Sequence, residues 1–291
     1  MPNKKYLIMF IVADCGTTKC DWALVDQPGH SFFSGQGFNP LRSESEQIMM
    51  AIATAMDANG VDTSKVDDIF FYGAGCIPEV SDGKIKQILS TLMPQANINV
   101  ESDLMAAARA VFKQDNGIIG ILGTGSNSGV YKSGKITEHI PPLGYVIGDE
   151  GSGAAIGKRL INAIYKNELP THYREMFEQE CNTYYNDIVQ NVYTSATPAK
   201  YLAEFVPFVK NHIDDTLMRN LVFCEFDKYF TRNIIRYNKY KSLDTGFVGS
   251  VAKEFKDILS DAARFHGVSI ISIIQKPIER LVEYHVSSGE N

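Results

Sequence analysis

The stretch that decides the fold reads Ile11-Val12-Ala13-Asp14-Cys15-Gly16-Thr17-Thr18-Lys19-Cys20-Asp21-Trp22. An apolar run beginning at Tyr6 precedes its polar centre and alternating apolar residues follow, so the pattern predicts a strand, a tight turn and a second strand. The turn offers a phosphate close backbone approach, two hydroxyls and a positive charge, from Gly16, Thr17, Thr18 and Lys19. Asp14 ends the first strand as an acceptor only, which suits a hydrated Mg²⁺. Taken alone, an ordinary hairpin without a ligand explains this stretch equally well.

A second glycine-rich turn follows a second apolar strand at residues 118–122, and a returning strand begins at Val130 and is expected to end near Ser133-Gly134. The architecture repeats that of the first hairpin, which predicts two similar domains rather than a repeat array. The turn carries no charged side chain, so a phosphate there would be bound by backbone N–H groups, at Gly123, Thr124, Gly125 and Ser126. A triphosphate between the domains would account for both turns; a glycine-rich hairpin without a ligand is the alternative.

Strands and helices alternate along the first half of the chain, which indicates an α/β domain with a mixed sheet. The pattern breaks at residues 114–117 and then restarts. We therefore predict an amino-terminal domain of residues 1–115 and a carboxy-terminal domain of residues 116–276 with a helical insertion. A final helix opened by Pro277 is a candidate addition to the first domain, over residues 277–291.

Composition and charge narrow the class of protein. Hydrophobic residues make up 44% and charged residues 21% of the 291 residues, which is typical of a globular protein and argues against disorder. The net charge of −6 provides no basic surface for nucleic acid or an anionic membrane. The five cysteines are widely spaced and form no Cys-x-x-Cys pair, so neither a disulfide framework nor a zinc site is predicted. We expect a cytoplasmic protein that acts on a small molecule.

Three carboxylates stand where a substrate hydroxyl could bind. Asp103 follows an apolar strand and opens an alanine-rich helix, so it is either an ordinary N-cap or a base that accepts the proton of an attacking hydroxyl. The helix N-terminus is expected to keep it ionised. Asp149 and Glu150 stand side by side among glycines at the start of another helix, where acidic residues are common for dipole reasons alone. Adjacent carboxylates also suit sugar hydroxyls, and we favour that role.

Four motifs occur in an order that resembles one protein family. They are Asp14-x-Gly16-Thr17-Thr18-Lys19, Gly123-Thr124-Gly125-Ser126-Asn127, Gly148-Asp149-Glu150-Gly151-Ser152 and Gly249-Ser250-Val251. Together they are similar to the N-acetylglucosamine kinase and BadF/BadG-type ATPase family of the actin–hexokinase superfamily. The resemblance covers most of the chain, to about residue 252.

The resemblance implies an α/β fold of two ribonuclease-H-like domains, with mixed sheets flanked by helices and an ATP cleft between them. It implies that Asp14 positions Mg²⁺ and that both glycine turns bind the phosphates of ATP. It also implies that Gly249 and Ser250 border the adenosine. In the sugar site it implies Asp103 as the base for the 6-hydroxyl, together with sugar contacts from Asn39, Asp103, Asp149 and Glu150.

The implied activity is an ATP-dependent sugar kinase of the cytoplasm. The first candidate substrate is N-acetylglucosamine, and N-acetylmuramic acid and glucosamine are alternatives. Family analogy points to a homodimer. Leu143-Gly144-Tyr145 stands where some relatives have a Trp-Gly before the Gly-Asp-Glu-Gly-Ser motif, so the sugar pocket is expected to differ from theirs.

Two other functions stay open at this point. The first is an ATPase that activates a partner enzyme, as in the 2-hydroxyacyl-CoA dehydratase activators, which bind an iron–sulfur cluster through cysteines. Here Cys76 is the one cysteine near a suitable turn, and no second cysteine follows closely. The other is a sugar-sensing regulator, which would need an added DNA-binding segment; a strand that begins near Tyr6 leaves no room for one.

Overall fold

The computed structural model describes residues 9–26 and 29–288, so the predicted start of the first strand at Tyr6 lies outside the described residues. The chain divides into two compact units. One contains the described residues up to Lys113 and those from Pro277 onward, and the other is Gln114–Lys276. Each unit carries a mixed five-stranded sheet with helices packed against it, so the predicted α/β fold class is confirmed.

The amino-terminal unit is built around the quoted hairpin. Its elements in chain order are β1 (Met9–Cys15), β2 (Lys19–Asp26), β3 (Gly29–Gln36), α1 (Ser45–Ala58), β4 (Asp68–Gly73), α2 (Asp82–Leu92), β5 (Asn97–Ser102) and α3 (Asp103–Phe112). The sheet order is β3-β2-β1-β4-β5, with β1 antiparallel to β2 and parallel to β4. Since β1 is central, Ile11, Val12 and Ala13 are all fully buried, and this explains the unbroken apolar run.

The carboxy-terminal unit contains the helical insertion. Its elements are β6 (Gly117–Leu122), β7 (Ser126–Lys132), β8 (Lys135–Ile140), α4 (Gly144–Ile147), α5 (Gly153–Tyr165), α6 (Thr171–Cys181), α7 (Tyr185–Thr194), α8 (Pro198–Ala203), α9 (Val206–Asn211), α10 (Thr216–Arg232), β9 (Thr245–Val248), α11 (Ser250–Glu254), α12 (Lys256–Phe265) and β10 (Ile270–Ile274). The sheet order is β10-β9-β6-β7-β8. The helices that follow α5 form this insertion. Of these, α6, α8, α9 and α10 pack against α5, and aromatic side chains of α10 lie in the hydrophobic core of the unit.

One edge strand of this sheet is absent from the sequence-based prediction. The returning strand β7 ends at Lys132, so its predicted end near Ser133-Gly134 is confirmed. These two residues form a tight turn into β8, and both have positive φ, at 49° and 77°. Two consecutive residues with positive φ give the two-residue hairpin turn that matches strand twist. The alternating polarity of β8 is a weak signal because that edge strand is only half-buried.

The last helix, α13 (Ile278–Ser288), packs on α3, β1 and β2 of the amino-terminal unit. The His285 ring stacks on Phe70 with a centroid separation of 3.7 Å, and its Nε2 lies 2.9 Å from the Tyr72 hydroxyl. Within the described residues, no helix is long and apolar enough to cross a membrane.

Candidate functional site

The first glycine turn joins β1 to β2 and leaves Thr17, Thr18 and Lys19 exposed. The Gly16 N–H donates to the Lys19 carbonyl at 2.9 Å, which closes the turn. Behind it lies Gly37, where a Cβ atom would clash with the backbone of Gly16 and Lys19. The turn is therefore held by backbone contacts, and its hydroxyls remain accessible to a ligand.

Asp14 lies near the carboxyl end of β1, directly opposite Asp21 on β2. The Asp21 carboxylate has two protein partners. Lys19 Nζ lies 2.7 Å from its Oδ1, and Ser34 Oγ donates to the same oxygen at 2.6 Å. A carboxylate at a strand end beside a turn with exposed hydroxyl groups has the donor chemistry that hydrated Mg²⁺ takes. The residues present thus fit the metal role predicted for Asp14.

Asn39 lies in a loop that neighbouring residues fix in place. Its Oδ1 accepts the Leu41 N–H at 2.9 Å. Lys84 Nζ donates to two carbonyls of the same loop, those of Pro40 at 3.1 Å and Ser43 at 2.8 Å. The Asn39 side chain also fills the space above Gly75, where a Cβ atom would lie 2.5 Å from Oδ1.

Asp103 is the first residue of α3, and Ser102 is the N-cap, whose Oγ accepts the Met105 N–H at 3.2 Å. Asp103 Oδ1 accepts the Leu104 N–H at 2.8 Å. Desolvation nevertheless outweighs the backbone N–H groups and raises the pKa of Asp103 to about 6. The helix N-terminus therefore does not keep the pKa in its ordinary range, but a carboxyl group with a pKa of about 6 is still largely ionised at neutral pH, as the sequence predicts.

The predicted sugar residues of this unit lie at one edge of the sheet. Burial raises the pKa of the Cys76 thiol to about 12, and the nearby Cys15 thiol and the Asp103 carboxylate raise it further. Cys76 follows Gly75, which contacts Asn39. The loop after β4 therefore brings Asp103 and Asn39 to the same region.

The second glycine turn is shorter than predicted, since β7 already begins at Ser126. The Gly123 N–H donates to the Gly125 carbonyl at 3.0 Å. Two N–H groups at the start of α5 bind the turn from behind: Gly153 donates to Gly123 at 2.8 Å and Ala154 donates to Thr124 at 3.1 Å.

Gly249 lies directly against this turn. Its φ is 128°, and a Cβ atom there would clash with the Leu122 carbonyl and approach the Gly123 nitrogen within 3.2 Å. Ser250 begins α11, and the Lys253 N–H donates to the Gly249 carbonyl at 3.1 Å. The structure thus brings Gly249 and Ser250 together with Gly123–Ser126 because β6 and β9 are adjacent and parallel.

Asp149 contacts the same turn. Its Oδ2 lies 3.0 Å from where a Cβ atom of Gly125 would be. Burial raises its pKa to about 6, and the neighbouring Glu150 charge adds to the effect. Asp149, which is predicted to bind the sugar, therefore lies next to the glycine turn that is predicted to bind phosphate.

Glu150 points away from this turn, toward α10. Arg232 Nη1 donates to Glu150 Oε1 at 2.8 Å, and Asn233 Nδ2 lies 3.5 Å from Oε2. Both carboxylate oxygens of Glu150 thus have protein partners. The sugar contact predicted for Glu150 stays a prediction. Arg232 and Asn233 could not be predicted from the sequence as partners of Glu150. They follow it by more than 80 residues and do not belong to a recognisable sequence motif.

Known structures share this fold. The structure of a candidate N-acetylglucosamine kinase from Porphyromonas gingivalis is 35% identical, with a TM-score of 0.91 over 95% of this chain and 98% of that chain. A second candidate N-acetylglucosamine kinase, from Chromobacterium violaceum, is 17% identical, with a TM-score of 0.68 over 96% of this chain and 99% of that chain. A ROK family glucokinase from Streptomyces griseus, in complex with glucose and AMPPNP, is 15% identical, with a TM-score of 0.54 over 92% of this chain and 93% of that chain. The last two show the fold alone. No protein-family model and no curated protein matches the chain.

Proposed function

We propose that this chain, which belongs to the N-acetylglucosamine kinase and BadF/BadG-type ATPase family, is a sugar kinase that transfers the γ-phosphoryl group of ATP to the 6-hydroxyl of N-acetylglucosamine. The observation that carries the proposal is Asp103. It stands at the start of α3, where Ser102 pairs with Gly73 just before the loop that contacts Asn39, and desolvation raises its pKa to about 6. A base with a pKa near the working pH combines a large ionised fraction with adequate basicity.

In the proposed reaction the sugar 6-oxygen bonds to the γ-phosphorus while the bond from that phosphorus to the bridging oxygen of ADP breaks. The hydroxyl proton passes to a carboxylate oxygen of Asp103 and then to solvent. Phosphoryl transfer needs mainly positioning and charge neutralisation from the protein. Asp103 supplies the proton acceptor.

The phosphates of ATP would be bound by the two glycine turns. Hydroxyls of Thr17 and Thr18 and the charge of Lys19 serve the first turn, and the backbone of Gly123–Ser126 serves the second. The absence of a side chain at Gly249 lets the backbone of Leu122 and Gly123 pack against it, which fixes the second turn beside Ser250, where the adenosine would lie. Asp14 would hold Mg²⁺ through water, and the ion, when bound, neutralises charge on the triphosphate.

The sugar hydroxyls would be bound by Asn39 and Asp149 in addition to Asp103. The Asn39 side chain is fixed by its loop, and Asp149 is fixed against the second turn. We assign Glu150 to the support of Asp149, because Arg232 and Asn233 occupy its oxygens.

The environment of Cys76 disfavours the alternative of an iron–sulfur activator. Its side chain is 1% exposed, and burial raises the pKa of its thiol to about 12. An iron ligand must be a thiolate that can reach the cluster. The kinase proposal requires nothing of this cysteine.

A coupled assay of ADP release with ATP and Mg²⁺ tests the proposal against glucose, glucosamine, N-acetylglucosamine and N-acetylmuramic acid. We expect release that depends on N-acetylglucosamine, with the product carrying phosphate on the 6-oxygen by NMR. Slow hydrolysis of ATP with no dependence on any sugar would contradict the proposal.

A further inference from the structure

The Glu150 side chain connects the loop that carries Asp149 to α10 through hydrogen bonds. Glu150 is largely buried, with 13% of its side chain exposed, and Asn233 is 6% exposed. Arg232 lies 2.8 Å from Glu150 but leaves 61% of its side chain in solvent. A pair with one exposed partner adds little to the free energy of unfolding. Its main effect is therefore on where the loop lies.

These contacts matter for the loop conformation because the backbone at Asp149 is strained. Asp149 has a φ of 54°, in the left-handed region that non-glycine residues seldom adopt. Such a conformation costs of order 1 kcal/mol and persists only where its surroundings impose it. On one side the Asp149 N–H donates to the Pro142 carbonyl at 2.9 Å, and on the other Glu150 is bound to α10.

We propose that Arg232 is a positioning residue for the sugar: through Glu150 it holds the Asp149 carboxylate against Gly125 and Ser126. This inference rests on the proposed function in assigning a sugar to Asp149. Arg232 acts through Glu150 and not by contact with a reacting atom.

The charges near Asp149 also predict a change in the pH dependence of activity, which a pair with a purely structural role would not cause. Asp149 faces Glu150 on its own loop and Lys158 on α5; the Glu150 charge raises the pKa of Asp149, and the Lys158 charge lowers it. The Arg232 guanidinium offsets the charge of Glu150. Removal of Arg232 should therefore move the acid limb of the sugar kcat/KM profile to higher pH. Glu150→Gln should move it to lower pH.

The test compares Arg232→Ala with Arg219→Ala. Arg219 also lies on α10 and makes an ion pair of 2.8 Å, but with Asp261, away from the loop. For Arg232→Ala we expect the KM for N-acetylglucosamine to rise about three- to fivefold, the KM for ATP to be unchanged, and Arg232→Lys to recover part of the loss. Equal sugar KM values in Arg232→Ala and Arg219→Ala would overturn the inference.

Hydrogen exchange of the ligand-free protein separates this inference from the proposed function. The Asp149 carboxylate lies against Gly125, so peptides covering residues 123–127 and 144–152 should exchange faster in Arg232→Ala but not in Arg219→Ala. If the wild type shows no sugar-dependent turnover, the proposed function fails, while exchange still reports on the positioning. Unchanged exchange in Arg232→Ala would refute the positioning role whatever the substrate.

Discussion

Asp103 and Asp149 share a raised pKa, about 6 in each case, and burial is the first cause for both. Backbone N–H groups oppose the shift at both positions, from Leu104 and from Ser126. Each group is thus a carboxylate in a desolvated position near backbone N–H groups. A carboxylate of this kind can accept a proton or bind a hydroxyl near neutral pH and loses both abilities in mild acid.

The first prediction concerns pH. Because both carboxylates must be ionised and their pKa values are raised to about 6, sugar-dependent kcat/KM should fall as the pH is lowered through 6. Each group should contribute about a tenfold loss between pH 7 and pH 5. The coupled assay at constant ionic strength measures the profile. A flat profile across this range would show that neither carboxylate titrates as proposed.

The second prediction concerns Gly249. An alanine there would clash with the Leu122 carbonyl and would adopt a φ of 128° under strain, so the second turn must shift. We expect Gly249→Ala to weaken ATP binding at least about tenfold by calorimetry. The control is Gly83→Ala, because a Cβ atom in that helical position meets nothing within 4 Å. Wild-type affinity in Gly249→Ala would contradict a nucleotide site at this turn.

At the scale of elements, strong local signals were predictable from the sequence. The hairpin of β1 and β2 follows from an apolar run, a small-residue turn and an alternating run, and the alanine-rich helix predicted to open at Asp103 is confirmed as α3. The edge strand β8 was missed because half-burial gives weak periodicity. The Glu150–Arg232 pair was not predictable, since nothing in local sequence specifies which residue of a remote helix meets a loop.

Helix α13 packs on the amino-terminal unit through a partly buried polar cluster. Arg109 Nη1 donates to the Tyr72 hydroxyl at 2.7 Å, and that hydroxyl lies 2.9 Å from His285 Nε2. Burial lowers the pKa of His285 to about 3, and the charge of Arg109 adds to the effect. The helix therefore docks with a neutral imidazole.

The third prediction follows from this shift. The unfolded chain binds a proton at His285 near its ordinary pKa of about 6.5, whereas the folded chain does so only near 3. The contribution of His285 to the free energy of unfolding is thus full above pH 6.5 and falls as the pH drops toward 3, by at most about 1.4 kcal/mol per pH unit.

Urea unfolding at several pH values, for wild type and His285→Phe, measures this contribution. The variant should lose less stability between pH 6.5 and pH 4.5 than the wild type, and His30→Phe on the exposed strand β3 serves as the control. Parallel pH dependence in wild type and His285→Phe would rule out the buried neutral imidazole.

At the scale of the whole molecule, the two units repeat one topology. The order β3-β2-β1-β4-β5 in the first corresponds to β8-β7-β6-β9-β10 in the second, and each sheet begins with a hairpin around a glycine turn. The repeat of architecture was therefore visible in the sequence as two apolar strands with small-residue turns. The identity of the sugar was not, because N-acetylglucosamine, N-acetylmuramic acid and glucosamine all carry a 6-hydroxyl. The homodimer expected by family analogy also stays a prediction.

The most direct test of the kinase proposal is the turnover of Asp103→Asn with ATP, Mg²⁺ and N-acetylglucosamine. The amide keeps the shape of the side chain but cannot accept the hydroxyl proton, so kcat should fall at least about a hundredfold while calorimetry shows unchanged ATP binding. Wild-type turnover in Asp103→Asn would contradict the account, because the proton would then leave by another route.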